Sequence, residues 1–192
     1  MLAVDASDIV KKGAVKKLWY LYYAVDLFSL TCNQFKVTEQ STGESLENFT
    51  LEKGCLVIAD RAYGTIKSIE HCLSSGSDFI IRIKNKAFHP YDSSGEKIIY
   101  TDWLKTVIET AAELTVYLKT KNKGLVPLRI CAARKTEEEI RKEEKRLKQL
   151  ESKKQKKYSK ETKFTHRYMF IITSLPPEVS AEEVLSCYHL RW

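Results

Sequence analysis

Two aspartates stand directly after short apolar runs, and their positions suggest a chemical role. Asp5 follows Leu-Ala-Val, and Asp60 follows Leu-Val-Ile-Ala. Because strand ends gather at one edge of an open α/β sheet, side chains there reach a shared crevice. Two carboxylates in one crevice repel each other unless a cation lies between them, so the pair predicts a site for Mg²⁺ or Mn²⁺. Two such ions held about 3.5 to 4 Å apart support an in-line displacement at phosphorus, which makes phosphoryl transfer the expected reaction.

Tyr188 and Arg191 form a second candidate group, near the end of the sequence. Their spacing places both on one face of a helix, which the capping-box pattern of Ser180 and Glu183 predicts to begin at Ser180. An arginine suits bidentate contact with a phosphate, and a tyrosine hydroxyl can donate to another phosphate oxygen. A plainer interpretation stays open for both groups, because an aspartate after a strand often only forms a turn and a helical arginine often only faces water.

Nearly all of the net positive charge of the chain lies in one segment. The 192 residues carry a net charge of +7, and residues 134–163 alone hold thirteen Lys or Arg against seven Glu. Four lysines stand close together there, namely Lys153, Lys154, Lys156 and Lys157. Such a cluster either neutralises DNA phosphates without sequence preference or forms a solvated helix face.

Residues 1–85 show the alternation of strands and helix that is typical of an α/β domain. A helix is expected between Thr65, a candidate N-cap, and Gly76, a candidate stop. Apolar runs predict strands over residues 1–4, 17–27, 31–38, 55–59 and 79–83. Asp5 and Asp60 are then expected at the ends of two of these strands.

From residue 86 to residue 179 the pattern changes to a β-rich insertion, with strand-like pieces, one of them at residues 98–100, separated by polar turns. The insertion contains a charged helix, expected near residues 136–158. Residues 180–192 are expected to begin a late helix that returns to the core formed by residues 1–85. Because the sequence stops within that helix without a stop signal, we expect a truncation there.

The composition is that of a globular protein. Hydrophobic residues make up 43% of the chain, which is enough for a packed interior. The five cysteines show neither a CxxC motif nor a Cys/His pair at metal-ligand spacing, which fits reduced thiols. No secretory signal or transmembrane span can be recognised, so we expect a cytoplasmic protein without a membrane partner.

Three segments taken together resemble DDE transposases of the insertion-sequence-4 type. They are Val-Asp-Ala-Ser at residues 4–7, Ala-Asp-Arg-Ala-Tyr-Gly-Thr at residues 59–65 with the helix and Phe-Ile-Ile-Arg-Ile-Lys that follow, and Tyr-His-Leu-Arg-Trp at residues 188–192. The resemblance implies an α/β fold with an RNase H-like mixed sheet and helices, interrupted by a β-rich insertion that contains a charged helix.

The resemblance also implies roles for individual residues. Asp5 and Asp60 take the first two catalytic and metal-binding positions, and Tyr188 and Arg191 take the positions that hold the DNA end. The third acid of the family, a Glu four residues after the Arg, would stand at position 195, which is beyond this sequence. The fragment is therefore expected to be inactive alone.

The function implied in this way is DNA transposition, with metal-dependent phosphodiester cleavage and strand transfer at transposon ends. The cofactor would be Mg²⁺ or Mn²⁺, and the partner would be double-stranded DNA in the nucleoid. The resemblance also allows a homodimer within a synaptic complex. Two alternatives stay open, namely an RNase H-like nuclease without transfer activity and a transposase remnant that binds DNA but catalyses nothing.

Overall fold

The apolar runs of the sequence become the strands of one mixed sheet. A computed structural model describes the chain except for residues 10–12, 14–18, 40–42, 85–88, 109–110, 121–123 and 192. In chain order the strands are β1 (Leu2–Ile9), β2 (Trp19–Asp26), β3 (Thr31–Glu39), β4 (Leu56–Ala59), β5 (Asp78–Arg82), β6 (Ala112–Thr120), β7 (Gly124–Arg134) and β8 (Tyr168–Thr173). Across the sheet the described strands follow the order β3-β2-β1-β4-β5-β8-β7-β6.

The first five strands have the arrangement of an RNase H-like sheet. β1, β2 and β3 form an antiparallel meander, whereas β4 and β5 lie parallel to β1 on its other side. The expected mixed α/β fold is thereby confirmed. β1 is longer than the run that predicted it, because it continues to Ile9 and stays paired with β2 over its whole length.

The central strands are apolar on both faces because each face has its own cover. Val57 and Phe79 point into the larger hydrophobic cluster, whereas Ile58 and Ile80 point into a second cluster on the opposite side. Successive residues of a strand alternate between faces, so a continuous apolar run is expected wherever a strand is covered twice.

The helices begin and end largely where local signals predict. They are α1 (Ile66–Ser75), α2 (Tyr100–Leu104), α3 (Glu137–Lys154), α4 (Lys160–Thr165) and α5 (Ala181–His189), and a short 3₁₀ helix covers Leu46–Asn48. Thr65 caps α1, and Gly76 ends it in the left-handed conformation at φ 71°. Among the described helices, none has the length and apolar character needed to cross a membrane.

Residues 86–179 extend the sheet and add the charged helix. β8 joins β5 antiparallel, and β7 and β6 continue from it. α3 opens with the expected capping box of Thr136 and Glu139 but ends at Lys154, since Gln155 turns into the left-handed region at φ 48°. The strand predicted at residues 98–100 does not form, because residues 98 and 99 belong to no regular element and α2 begins at Tyr100. Tyr100 and Leu104 are both buried there at helical spacing. The division of the chain into core and insertion stays a prediction.

Candidate active site

The parallel pairing of β1 with β4 relates the positions of the two aspartates. Leu2 pairs with Val57 and Ala3 with Ile58, and this register, continued by two residues, would align Asp5 with Asp60. Asp5 lies within β1, where it is paired with β2. β4 ends at Ala59, one residue before Asp60. Beyond this point β4 no longer covers the side of β1 that faces away from β2.

Each aspartate is held by a local hydrogen bond to one carboxylate oxygen. The backbone N–H of Ala62 donates to Oδ1 of Asp60 over 2.6 Å, and the backbone N–H of Ala6 donates to Oδ1 of Asp5 over 2.8 Å. Side chains fixed in this way lose less freedom when they bind a ligand. At Asp60 the second oxygen, Oδ2, can face a ligand, whereas at Asp5 both oxygens have a contact, because Oδ2 lies 3.0 Å from Arg191.

Arg191 joins the late helix to the first aspartate. Its Nη2 lies 3.0 Å from Oδ2 of Asp5, and its Nε donates to the carbonyl oxygen of Val4 over 3.4 Å. The Arg191 side chain is 3% exposed, whereas that of Asp5 is 39% exposed. The turn that follows α5 therefore brings a guanidinium to the same edge of the sheet as the two acids.

α5 is attached to the sheet by its apolar face. Val184, Leu185 and Tyr188 are buried against the cluster that contains Ile58 and Ile80. The Tyr188 side chain is 2% exposed, and its hydroxyl has no hydrogen-bond partner within the described residues. Tyr188 thus packs on the sheet while Arg191 reaches Asp5, and the expected contact of Tyr188 with DNA stays a prediction.

The lysine tract lies at the end of α3 and in the residues that follow it. Lys153 and Lys154 form the last turn of α3, Lys156 and Lys157 follow it, and all four are exposed. In the part of the chain that the structure describes, none of these lysines forms an ion pair. They offer free positive charge at the surface, and their contact with DNA stays a prediction.

Gly64 was missed by sequence reasoning, although it lies inside the segment that carries Asp60. A Cβ on this residue would lie 2.8 Å from the backbone oxygen of Arg82, closer than two such atoms approach. A side chain is therefore excluded where the loop after β4 passes the end of β5. The neighbouring Tyr63 is 1% exposed, and burial raises the pKa of its hydroxyl. Both residues fix the loop that presents Asp60.

The donor atoms at this edge suit a hard divalent cation. Carboxylate oxygens are the preferred ligands of Mg²⁺ and Mn²⁺. Asp5 and Asp60 supply two carboxylates, and the described residues contain no group of three or more His, Cys, Asp or Glu that could hold a metal ion. The two acids therefore fit a metal ion that takes its remaining ligands from other groups, such as substrate oxygens and water.

Comparison with known proteins defines the class. Residues 22–192 match the family described as "Transposase DDE domain", and the chain belongs to this family. It is similar, with 26% identity over 196 aligned residues, to the putative transposase InsL for insertion sequence element IS186A of Escherichia coli (strain K12). The same identity is found with the transposase for insertion sequence element IS421 of Escherichia coli. The resemblance seen in the sequence is thereby confirmed at the level of the DDE family.

The matches cover the chain and its relatives unequally. They extend over 98% of this chain and 53% of each relative, so the chain spans about half the length of the curated relatives it matches. Asp60, Tyr188 and Arg191 lie within the family match, whereas Asp5 precedes its first residue.

Proposed function

We propose that this chain forms the catalytic core of a DNA transposase, which cleaves phosphodiester bonds at transposon ends and transfers the strand in a metal-dependent reaction. The observation that carries the proposal is the parallel register between β1 and β4, which would align Asp5 with Asp60 if it continued by two residues. Membership of the DDE family supports the reaction class. The substrate would be double-stranded DNA.

Asp5 and Asp60 would hold Mg²⁺ or Mn²⁺ through their carboxylate groups, beside the guanidinium of Arg191 that contacts Oδ2 of Asp5. A divalent ion bound there supplies the charge that activates a water or 3′-hydroxyl and stabilises the leaving oxygen of the phosphodiester. The hydrogen bonds from Ala6 and Ala62 keep each carboxylate in a fixed orientation for this purpose. The protein thus contributes two oriented anions and a rigid sheet edge.

Arg191 orients Asp5 and brings a second kind of group to the site. Its guanidinium contacts Asp5 through Nη2 and Val4 through Nε, which fixes the end of α5 on β1. A guanidinium in this position can also donate to a phosphate oxygen of a bound DNA strand. We propose that Arg191 positions the scissile strand, and that Tyr188 sets the direction in which α5 leaves the sheet.

The lysines after α3 would bind DNA away from the reacting phosphate. Lys153, Lys154, Lys156 and Lys157 are exposed and unpaired among the described residues, so they can neutralise backbone phosphates. Such contacts add affinity without sequence preference. A homodimer that holds two transposon ends is the assembly we propose for the reaction.

Cleavage of labelled DNA tests the proposed function. A version of the chain extended so that α5 continues to a Glu at position 195 should nick a substrate with Mg²⁺ or Mn²⁺, whereas the 192-residue chain should not. A third carboxylate completes the ligand set, and removal of a direct ligand costs more than the roughly 10 to 100-fold loss known for outer partners.

Two variants of the extended chain, one in the proposed site and one control outside it, complete the test. Asp60→Asn should abolish cleavage, whereas Asp102→Asn, which removes an exposed carboxylate on α2, should leave it unchanged. Metal-dependent cleavage by the 192-residue chain itself would contradict the assignment of the third acid to position 195. Cleavage that survives Asp60→Asn would overturn the proposed function.

A further inference from the structure

A cavity with a cationic wall is lined in part by the residue that follows Asp60. The cavity has a volume of about 120 Å³, and Arg61, the residue after Asp60, is one of the residues that line it. Three further cations line it, Arg82 at the end of β5, Lys84 beyond it and Lys135. His166, from the end of α4, contributes its ring to the same wall.

The fold brings these cations together from three separate parts of the chain. The close approach of Gly64 to the backbone of Arg82 sets the loop with Arg61 against the end of β5. Lys135 directly follows β7, and its Nζ donates to the carbonyl oxygen of His166 over 2.9 Å. The cavity is therefore a built feature of the seam between the core strands and the insertion.

Carboxylates do not neutralise this wall. In the described part of the chain, none lies within ion-pair distance of Arg61, Arg82, Lys84 or Lys135. Glu143 of α3 acts on Arg61 and Lys135 from a distance.

Glu143 is already engaged by other partners. It lies 2.5 Å from Nη2 of Arg146 and 2.7 Å from Nδ1 of His166. The cavity therefore keeps an excess of positive charge.

The cations also disturb one another. Burial lowers the pKa of the Arg61 guanidinium, and the charge of Arg82 lowers it further. Burial likewise lowers the pKa of Lys135, and Arg82 and Arg61 act in the same direction after the opposing effect of Glu143. The repulsion between half-buried cations falls when an anion binds between them. The arrangement favours an anionic ligand of small size.

We infer that this cavity binds one phosphate group of the DNA backbone, adjacent on the bound strand to the phosphodiester at Asp5 and Asp60. The inference rests on the proposed function, because the acidic pair defines where the strand runs. Arginine presents a planar fork that matches phosphate oxygens, and lysine adds a point charge. Arg61 lines the cavity and directly follows Asp60 in the chain, which links the cavity to the acidic pair.

DNA binding measured in EDTA tests the inference without catalysis. We expect Lys135→Gln to weaken the binding of a fluorescent duplex by the 192-residue chain roughly tenfold. The slope of log affinity against log salt should fall by about one. Lys119→Gln is the matched control, because Lys119 is exposed and pairs with Leu125 at the start of β7, at the far end of that strand from Lys135. It should change neither quantity.

A second variant keeps the test valid if Lys135→Gln disturbs folding. Lys84 is exposed, so Lys84→Glu should leave the thermal midpoint unchanged while it weakens DNA binding and lowers the salt slope. The inference would be overturned if Lys84→Glu and folded Lys135→Gln bound DNA as tightly as Lys119→Gln and with the same salt slope.

Inorganic phosphate separates DNA from a free anion as the ligand. Phosphate should compete with the duplex for the wild-type cavity and compete less against Lys135→Gln. If phosphate raises the thermal midpoint of the wild type while neither cavity variant changes DNA affinity, the cavity takes a free anion and the assignment to DNA is wrong. A second outcome separates the two proposals. Loss of DNA binding in these variants, together with cleavage that survives Asp60→Asn, would support the cavity as a DNA-binding site and overturn the proposed function.

Discussion

Nη2 of Arg191 lies 3.0 Å from Oδ2 of Asp5, so the turn after α5 contacts a strand that begins the chain. The two residues are separated by almost the whole sequence. The contact joins the first proposed metal ligand to the helix that carries the family's last motif.

Arg191→Ala tests whether this contact serves DNA or only the fold. We expect duplex binding to weaken roughly tenfold, because a charge-assisted phosphate contact is lost. The free energy of unfolding should fall by only about 1 kcal/mol, since Asp5 is 39% exposed and water screens the ion pair. Fluorescence anisotropy and urea unfolding measure the two effects. Unchanged DNA affinity with a large loss of stability would assign Arg191 to structure, and Lys119→Ala should alter neither.

Gly64→Ala tests the close approach that sets the Asp60 loop against β5. The added Cβ would lie 2.8 Å from the backbone oxygen of Arg82, and backbone cannot move aside cheaply. We expect the free energy of unfolding to fall by about 1 to 3 kcal/mol. Gly43→Ala is the matched control, because nothing lies within 4 Å of the Cβ it would add. Equal unfolding curves for the two variants would show that the loop adapts without cost.

The depressed pKa of Glu143 predicts that the protein loses stability in acid. Partial burial would raise its pKa, but hydrogen bonds from Arg146 and His166 outweigh burial and lower the pKa to about 2 from an ordinary value of 4.5. Because the folded pKa is depressed, the stabilisation is complete above about pH 4.5 and is lost as pH falls through 2. This stabilisation by Glu143 is on the order of 3 kcal/mol, at 1.36 kcal/mol for each pKa unit.

Urea unfolding of Glu143→Gln between pH 5 and 2 should therefore show a flatter dependence on pH than the wild type. Glu138→Gln, which removes an exposed carboxylate from the same helix, is the comparison for a change of net charge alone. Identical slopes for Glu143→Gln and the wild type would refute the role of this carboxylate in joining α3 to the end of α4.

Local signals in the sequence predicted the features that depend on near neighbours. Thr65 and Gly76 bound α1, and the capping boxes that open α3 and α5 form as expected. The strand before Asp60 could be predicted because a short apolar run ends there at a polar residue. Such features are decided within a few residues, so one sequence contains the information.

Features that depend on distant partners could not be predicted in this way. β1 continues past Asp5 because β2 supplies a partner strand for residues 6–9, whereas the apolar run that predicted β1 ends at Val4. The cationic cavity combines residues from the loop after β4, the end of β5 and the insertion, and no local pattern connects them. The family resemblance named Arg191 as a DNA contact, but its bond with Asp5 required the fold.

Binding of Mn²⁺ by the 192-residue chain is the most direct test of the central claim that Asp5 and Asp60 share a metal ion. Electron paramagnetic resonance measures the free Mn²⁺ during a titration. We predict that Asp5→Asn and Asp60→Asn each remove the same binding event, because one ion needs both carboxylates, whereas Asp102→Asn retains it. Wild-type Mn²⁺ binding that persists unchanged in both Asp5→Asn and Asp60→Asn would contradict the account.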